Sequence, residues 1–267
     1  MPRQNRFENG STLSYSLRLA FSLTMRLTMS LVLLSVSCGN KNSFNCQTPT
    51  SGVPCNARSK DEDARVALDK GDMETAVTLL KQLVADEPLT YSRYPLLAAA
   101  LAGRSGFDVF NVVKGNFGGD KSLIQSMGSF LPTPFSKGSA YAASLQDMSD
   151  SVATLNAVPV ALRTDISADA FAASCSLQLT LYQAAYSIMI INKYSYGAEG
   201  YDPSKLSTMT AADAAIILQN LLASTANASG ATGAAASAAI TSAYQSIQGQ
   251  PGSTDQEKIA AYAKAAH

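Results

Sequence analysis

From Asp61 onward, hydrophobic residues recur at spacings of three and four, and no run alternates as a half-buried strand would. Ala76, Leu80 and Leu83 share one helical face, and Pro88 ends that helix. A preceding helix meets it at a Lys-Gly-Asp turn, residues 70–72. The pattern predicts an all-α fold for residues 61–267.

Further helices are predicted where a capping residue precedes an apolar run, or where Pro or Gly ends one. Thr210 with Asp213, and Thr254 with Glu257, have the spacing of capping boxes. The predicted helices cover approximately 122–130, 139–156, 165–194, 210–224 and 254–267.

The longest predicted helix has no charged residue from Ala170 to Asn192, which is roughly 34 Å at about 1.5 Å per residue. It is apolar on nearly all sides, and such a helix is buried in protein or immersed in lipid. We expect burial, although its length approaches the bilayer core of about 30 Å. It is less hydrophobic than a conventional anchor, and no transmembrane helix is predicted. Its apolar stripe is Leu177, Leu181, Ala184, Ile188 and Ile191, and its narrow polar stripe is Ser176, Thr180, Gln183 and Ser187.

A second apolar segment contains more hydrophobic positions than one face of a surface helix needs. Its residues are core in one interpretation and a lipid-facing or partner-facing edge in the other. They are Phe107, Val109, Phe110, Val112 and Val113.

The N-terminal stretch predicts export. Arg26 precedes an apolar run over residues 27–36, too short for a bilayer span but typical of an export signal. Cys38 at the cleavage point resembles the lipid-bearing Cys of a bacterial lipobox, although Ser35 stands where Leu is typical. Residues 1–37 are predicted to be removed, with Met1 or Met25 as the start. Plain secretion and an uncleaved cytosolic chain are the alternatives.

Residues 38–60 are rich in Asn, Ser and Pro and are typical of a flexible tether. Cys46 and Cys55 flank a Pro/Gly/Ser-rich loop in an oxidising compartment, which favours a disulfide. Cys175 lies inside an apolar helix and is predicted to be a buried, inert thiol.

The charges argue against nucleic acid as a partner. The chain has 20 basic and 20 acidic residues, and residues 1–37 hold four Arg and one Glu, which leaves 16 against 19. Phosphate neutralisation needs clustered Lys and Arg. Charged residues are only 15% of the chain, so either much of it is buried or part of its surface faces something other than water.

The chain offers little chemistry. Its one His is His267, the last residue, so a His-dependent triad or a zinc site in the core is not expected. Residues 115–119 lack the Lys of a phosphate-binding loop. Asp147 and Asp150 lie three apart and are predicted to form a solvated face. We therefore predict no enzyme activity, no metal and no cofactor.

The hairpin at 61–88 resembles half of a tetratricopeptide repeat. Gly71, Asp72, Ala76, Leu80 and Pro88 stand at matching distances, and a degenerate second copy is predicted to begin at Tyr91. Such repeats normally need about three copies to bury a core. An ordinary helical hairpin is the alternative. The resemblance implies TPR-like hairpins packed around the long apolar helix.

The export signal, Cys38, the TPR-like hairpin, the low charge and the apolar helix together resemble the α-helical, ring-forming, porin-like lipoproteins of predatory bacteria. Their rings enclose membrane lipid. The resemblance implies a homo-oligomer in the outer membrane, with membrane lipid as partner, and Gly39 is compatible with that destination. The alternative is a monomeric, lipid-anchored periplasmic TPR-like adaptor. The residues implied to face lipid or another subunit are Phe107, Val109, Phe110, Val113, Leu177, Leu181, Ile188 and Ile191.

Overall fold

The computed structural model describes residues 59–107, 122–128, 131–164, 169–197, 199–231 and 234–266. All of them lie in one of the two units into which the chain divides, Arg58–His267. These residues are mostly helical, which confirms the all-α prediction.

Two capped helices form the first hairpin. Helix α1 is Lys60–Asp69, and the Ser59 hydroxyl accepts a hydrogen bond from the Glu62 amide at 3.2 Å. Helix α2 is Met73–Asp86, and the Asp72 carboxylate accepts from the Thr75 amide at 3.2 Å. Gly71 between them has φ 74°, a conformation that is unfavourable for residues with a Cβ. The predicted turn therefore lies where the sequence indicated it.

Helix α3 spans Tyr94–Ser105 and follows a 3-10 turn at Tyr91–Arg93. Pro95 suits the first turn, where amide donors have no partner within the helix, and Gly106 ends the helix with φ 97°. The next described helices are α4 (Leu123–Gly128), α5 (Pro134–Lys137), α6 (Tyr141–Asn156) and α7 (Val160–Thr164).

Helix α8 (Ala170–Ser195) is 26 residues long and packs against α6, α7 and the helix that follows it. It begins five residues later than predicted, where the Asp169 carboxylate accepts from the Phe171 amide at 2.9 Å. A two-stranded antiparallel hairpin follows, β1 (Tyr196–Gly197) with β2 (Gly200–Tyr201), which the helical periodicity did not predict.

The C-terminal part consists of a 3-10 turn at Pro203–Thr208 and helices α9 (Ala211–Ala231), α10 (Ala234–Gln248) and α11 (Asp255–Ala265). Helix α9 runs seven residues beyond its predicted end, although Thr225, Asn227 and Gly230 are weak helix formers. The capping box of α11 is confirmed: Thr254 and Glu257 cap each other's backbone.

The buried residues form two hydrophobic clusters that meet at α3. The smaller cluster lies among α1, α2 and one side of α3. The larger cluster lies among the other side of α3 and helices α4, α6, α8, α9, α10 and α11. Most of helix α8 is buried, as expected for a helix that is apolar nearly all round.

Four of the residues implied to face lipid or another subunit are core residues, and that assignment is corrected. Phe107, Leu181, Ile188 and Ile191 are between 1% and 6% exposed in the single chain. Their side chains pack in the larger cluster, because neighbouring helices surround α8 on these sides. Leu177 is half-buried against the same cluster.

The other predicted positions lie outside the described residues. They are Cys38, Cys46, Cys55, Val109, Phe110 and Val113. Across the described part of the chain, no helix combines the length and apolarity that a membrane crossing requires.

Candidate functional site

The polar stripe of α8 faces α9 and forms a ladder of hydrogen bonds between the two helices. The Ser176 hydroxyl donates to the Asn227 carbonyl at 2.7 Å, and the Ser224 hydroxyl donates to the Thr180 carbonyl at 2.5 Å. The Asn227 amide donates to the Gln183 side-chain oxygen at 3.1 Å. We call this ladder the polar seam.

The seam continues to the next turn of α8. The Ser187 hydroxyl donates to the Gln183 carbonyl at 2.9 Å and lies 3.3 Å from the Ile217 carbonyl. Small hydroxyl side chains allow two helices to approach closely, and here they also find partners on the neighbouring helix. Because its polar groups bond one another, the seam fixes the alignment of α8 and α9.

A cluster of ionisable groups lies where α8 ends and α9 begins. The Tyr194 hydroxyl donates to Asp213 Oδ2 at 2.5 Å, and Lys193 Nζ lies 2.9 Å from the same oxygen. Burial by itself raises the pKa of Asp213, but hydrogen bonds from Tyr194 and Lys193 outweigh it and hold the pKa below its usual value. Asp213 therefore stays ionised and joins the two helices.

Arg93 joins α1 to the connection between α2 and α3. Its Nε and Nη2 donate to the two Asp61 carboxylate oxygens at 2.9 and 2.8 Å, and Nη1 donates to the Leu83 carbonyl at 3.0 Å. Glu87 lies 2.9 Å from Nη1. Bidentate geometry and burial make this a stronger contact than an exposed ion pair.

Arg104 makes the second such contact, between α3 and α6. Its Nε and Nη2 donate to the Asp147 carboxylate at 2.9 and 2.7 Å, and Nη1 lies 3.1 Å from Glu74 on α2. The side chain of Asp147 is only 13% exposed, so the prediction that it belongs to a solvated face is wrong. Hydrophobic periodicity does not indicate this pair, because its members are 43 positions apart.

Cys175 and Tyr141 are buried, and the pKa of each side chain is raised. Cys175 is a free thiol that is buried, as predicted, and burial raises its pKa to about 11. Burial also raises the pKa of Tyr141, whose hydroxyl donates to the Met189 carbonyl at 2.6 Å. Neither group is poised to act as a nucleophile or base near neutral pH.

Among the residues that the structure describes, three buried polar atoms have no hydrogen-bond partner: Arg163 Nε, Gln178 Oε1 and Asn192 Nδ2. Gln178 and Asn192 are 14 residues apart on α8, which is roughly 21 Å along the helix. One small ligand does not reach both. Within the described ranges, no three His, Cys, Asp or Glu residues come together in a way that would hold a metal ion.

Charged residues are distributed unevenly between the N-terminal and C-terminal helices. Residues 59–107 contain six basic and eight acidic residues, whereas residues 214–254 contain none. Leu222 on α9 is 51% exposed. The charged helices α1 and α2 thus contrast with α9, which carries no charge after Asp213.

No protein-family model, curated protein or solved structure matches this chain.

Proposed function

We propose that this protein is an exported, lipid-anchored helical scaffold that binds another protein at the periplasmic side of the outer membrane. Residues 1–37 are the export signal, Cys38 carries the lipid, and residues 38–58 are the tether, since Ser59 caps α1 and Lys60 begins it. The single observation that carries the scaffold is the burial of Phe107, Leu181, Ile188 and Ile191 inside one chain. A domain that hides these side chains by itself needs no lipid or second subunit to do so.

The proposed partner-binding surface is the charged face of α1 and α2. We interpret these helices with α3 as TPR-like, since a Gly turn and then Pro88 separate three successive helices. Many charged side chains of this pair are exposed, among them Glu62, Asp63 and Arg65. Charged surfaces of this kind select partners by electrostatic complementarity more than by apolar burial.

The second candidate is the homo-oligomeric, porin-like ring that contacts or encloses membrane lipid. One feature favours it: the outer face of α9 has no charge after Asp213 and exposes Leu222. Small residues on such a face permit close contact with another helix. In this candidate, α9 faces a second copy or lipid, whereas the buried side chains of α8 stay in the core.

Lipid attachment is tested by expressing the full chain in a bacterium fed a labelled fatty acid. We expect label on the wild-type chain and its recovery in the membrane fraction, because several acyl chains on one Cys hold a protein firmly. Cys38→Ser is expected to lose the label and leave the membrane fraction. Cys175→Ala is the matched control and keeps both, since this thiol is buried. A Cys38→Ser chain that stays labelled and membrane-bound contradicts lipid attachment at Cys38.

A further inference from the structure

The smaller hydrophobic cluster is separable from the rest of the molecule. Its buried residues come from α1, α2 and one side of α3. The opposite side of α3, with Ala98 and Ala102, belongs to the larger cluster. The residues of the smaller cluster are Ala64, Ala67, Ala76, Val77, Leu80, Leu83, Leu97, Ala100 and Leu101.

The two clusters differ greatly in size. The smaller one has nine buried residues, four of them Ala, whereas the larger one has 34 among the described residues. Because stabilisation scales with the apolar area removed from water, separating α1 and α2 from α3 costs much less than opening the larger cluster. Regions with few buried apolar contacts open at lower free energy than the core.

One short connection joins the hairpin to α3. Residues 87–93 contain Pro88 and Leu89, and the Leu89 side chain is 78% exposed. Movement of the hairpin therefore needs rotation only in this connection. Two ion-paired side chains cross the joint: Arg93 reaches Asp61 on α1, and Arg104 on α3 reaches Glu74 on α2.

These contacts differ in strength. The Arg93–Asp61 pair is bidentate, and the arginine side chain is 11% exposed. Glu74 is 74% exposed, so its pair with Arg104 is screened by water. Arg104 keeps its bidentate contact with Asp147 on α6 whether or not the hairpin is in place. The closed state of the hairpin thus depends on the small cluster and on Arg93.

We propose that the α1–α2 hairpin opens from α3 as one cooperative unit while the larger cluster stays folded. Opening uncovers Leu97 and Leu101, which form an apolar strip on α3 that is covered in the closed state. The inference does not rest on the proposed function, since it concerns only the packing of these three helices. It gives the protein a local conformational opening at the N-terminal end of the described residues.

Native-state hydrogen exchange on the full chain tests this directly. Amides of residues 60–86 are expected to exchange through an opening with a small denaturant dependence, because little surface is exposed. Amides of α8 are expected to need global unfolding, with a larger dependence. If the amides of residues 60–86 and those of α8 show the same denaturant dependence of exchange, the proposal is overturned.

Two matched substitutions separate the clusters. Val77→Ala, in the small cluster, is expected to speed exchange of residues 60–86 by about threefold or more, and to speed exchange of α8 by the same factor, because it destabilises the native state relative to both the open and the unfolded states. Leu179→Ala, in the large cluster, is expected to speed exchange of α8 and to leave the hairpin opening unchanged. Equal acceleration of both regions by Leu179→Ala, or acceleration of α8 alone by Val77→Ala, contradicts the proposal. If Leu179→Ala does not fold, Ile217→Val provides the same comparison, and the wild-type measurement decides independently.

Discussion

At the scale of single residues, two arginines align helices whose relative placement the hydrophobic pattern does not determine. Arg93 and Arg104 each bind a carboxylate through two nitrogens, over 32 and 43 positions of sequence. Planar guanidinium groups suit such bidentate contacts, and lysine at either position makes one point contact instead. These pairs set how α1, α3 and α6 are aligned.

Replacing Arg93 with Ala is expected to destabilise the fold. The change removes two bonds to Asp61 and leaves the buried Leu83 carbonyl without this donor. Because Asp61 is 39% exposed and gains water in exchange, we expect a loss of about 1–2 kcal/mol in the free energy of unfolding. Urea denaturation measures it, with the exposed Arg65→Ala on α1 as control. Equal stability of the two variants would refute the role of Arg93.

Asp213 is expected to make stability depend on pH. Its pKa is lower in the folded chain than in the unfolded chain, so its contribution is present above the ordinary value of about 3.9 and is lost as the pH falls below it. Asp213→Asn is expected to be less stable than wild type at pH 7, with the gap closing towards pH 3. Thermal unfolding across this range tests the prediction. Asp86→Asn, an exposed carboxylate on α2, serves as control. If the stability difference between Asp213→Asn and wild type does not change with pH, the ionised Asp213 carboxylate is not its cause.

At the scale of elements, the pairing of α8 with α9 depends on small polar side chains. Ser224 is fully buried between the helices, and its hydroxyl bonds to the α8 backbone. Most of the circumference of α8 is apolar and buried, so the polar seam selects which of its faces meets α9. The sequence predicted this stripe but not its partner, because a periodicity shows which residues share a face and not what covers that face.

Ser224→Leu is therefore expected to force α8 and α9 apart. The larger side chain overpacks the seam, and we expect a loss of about 1–3 kcal/mol in the free energy of unfolding. Ser224→Ala, which keeps the space and removes only the hydroxyl, is expected to cost about 1 kcal/mol. Gln219→Leu, on the exposed side of α9, is the control for added bulk. Indistinguishable urea midpoints for Ser224→Leu and Gln219→Leu would show that the seam is not closely packed.

Local sequence patterns predicted only those parts of the fold that local chemistry determines. Helix ends were found where local chemistry determines them, as at Gly71, Pro88 and the Thr254–Glu257 capping box. The start of α8 and the end of α9 were misplaced, since helix propensity is a weak guide that tertiary packing overrides. The β hairpin after α8 was missed because each of its strands is only two residues long.

At the scale of the whole molecule, the question is what covers the apolar side chains. Sequence alone left interior, lipid and a second subunit as alternatives, because all three favour the same residues. In the fold, Ile188 and Ile191 are 1% and 2% exposed, and large exposed hydrophobic side chains such as Leu89 and Leu222 are scattered. Isolated exposed hydrophobic residues are normal in a protein that functions as a monomer.

One chain encloses the hydrophobic core of the described residues. The most direct test is the mass of residues 39–267, expressed without signal or lipid and measured in detergent-free buffer by light scattering coupled to size exclusion. We expect a single monomeric species without bound lipid, and the same mass for Leu222→Lys. Homo-oligomers that carry lipid, or that dissociate when Leu222 becomes Lys, would contradict the proposed monomeric scaffold. They would support the homo-oligomeric, porin-like ring instead.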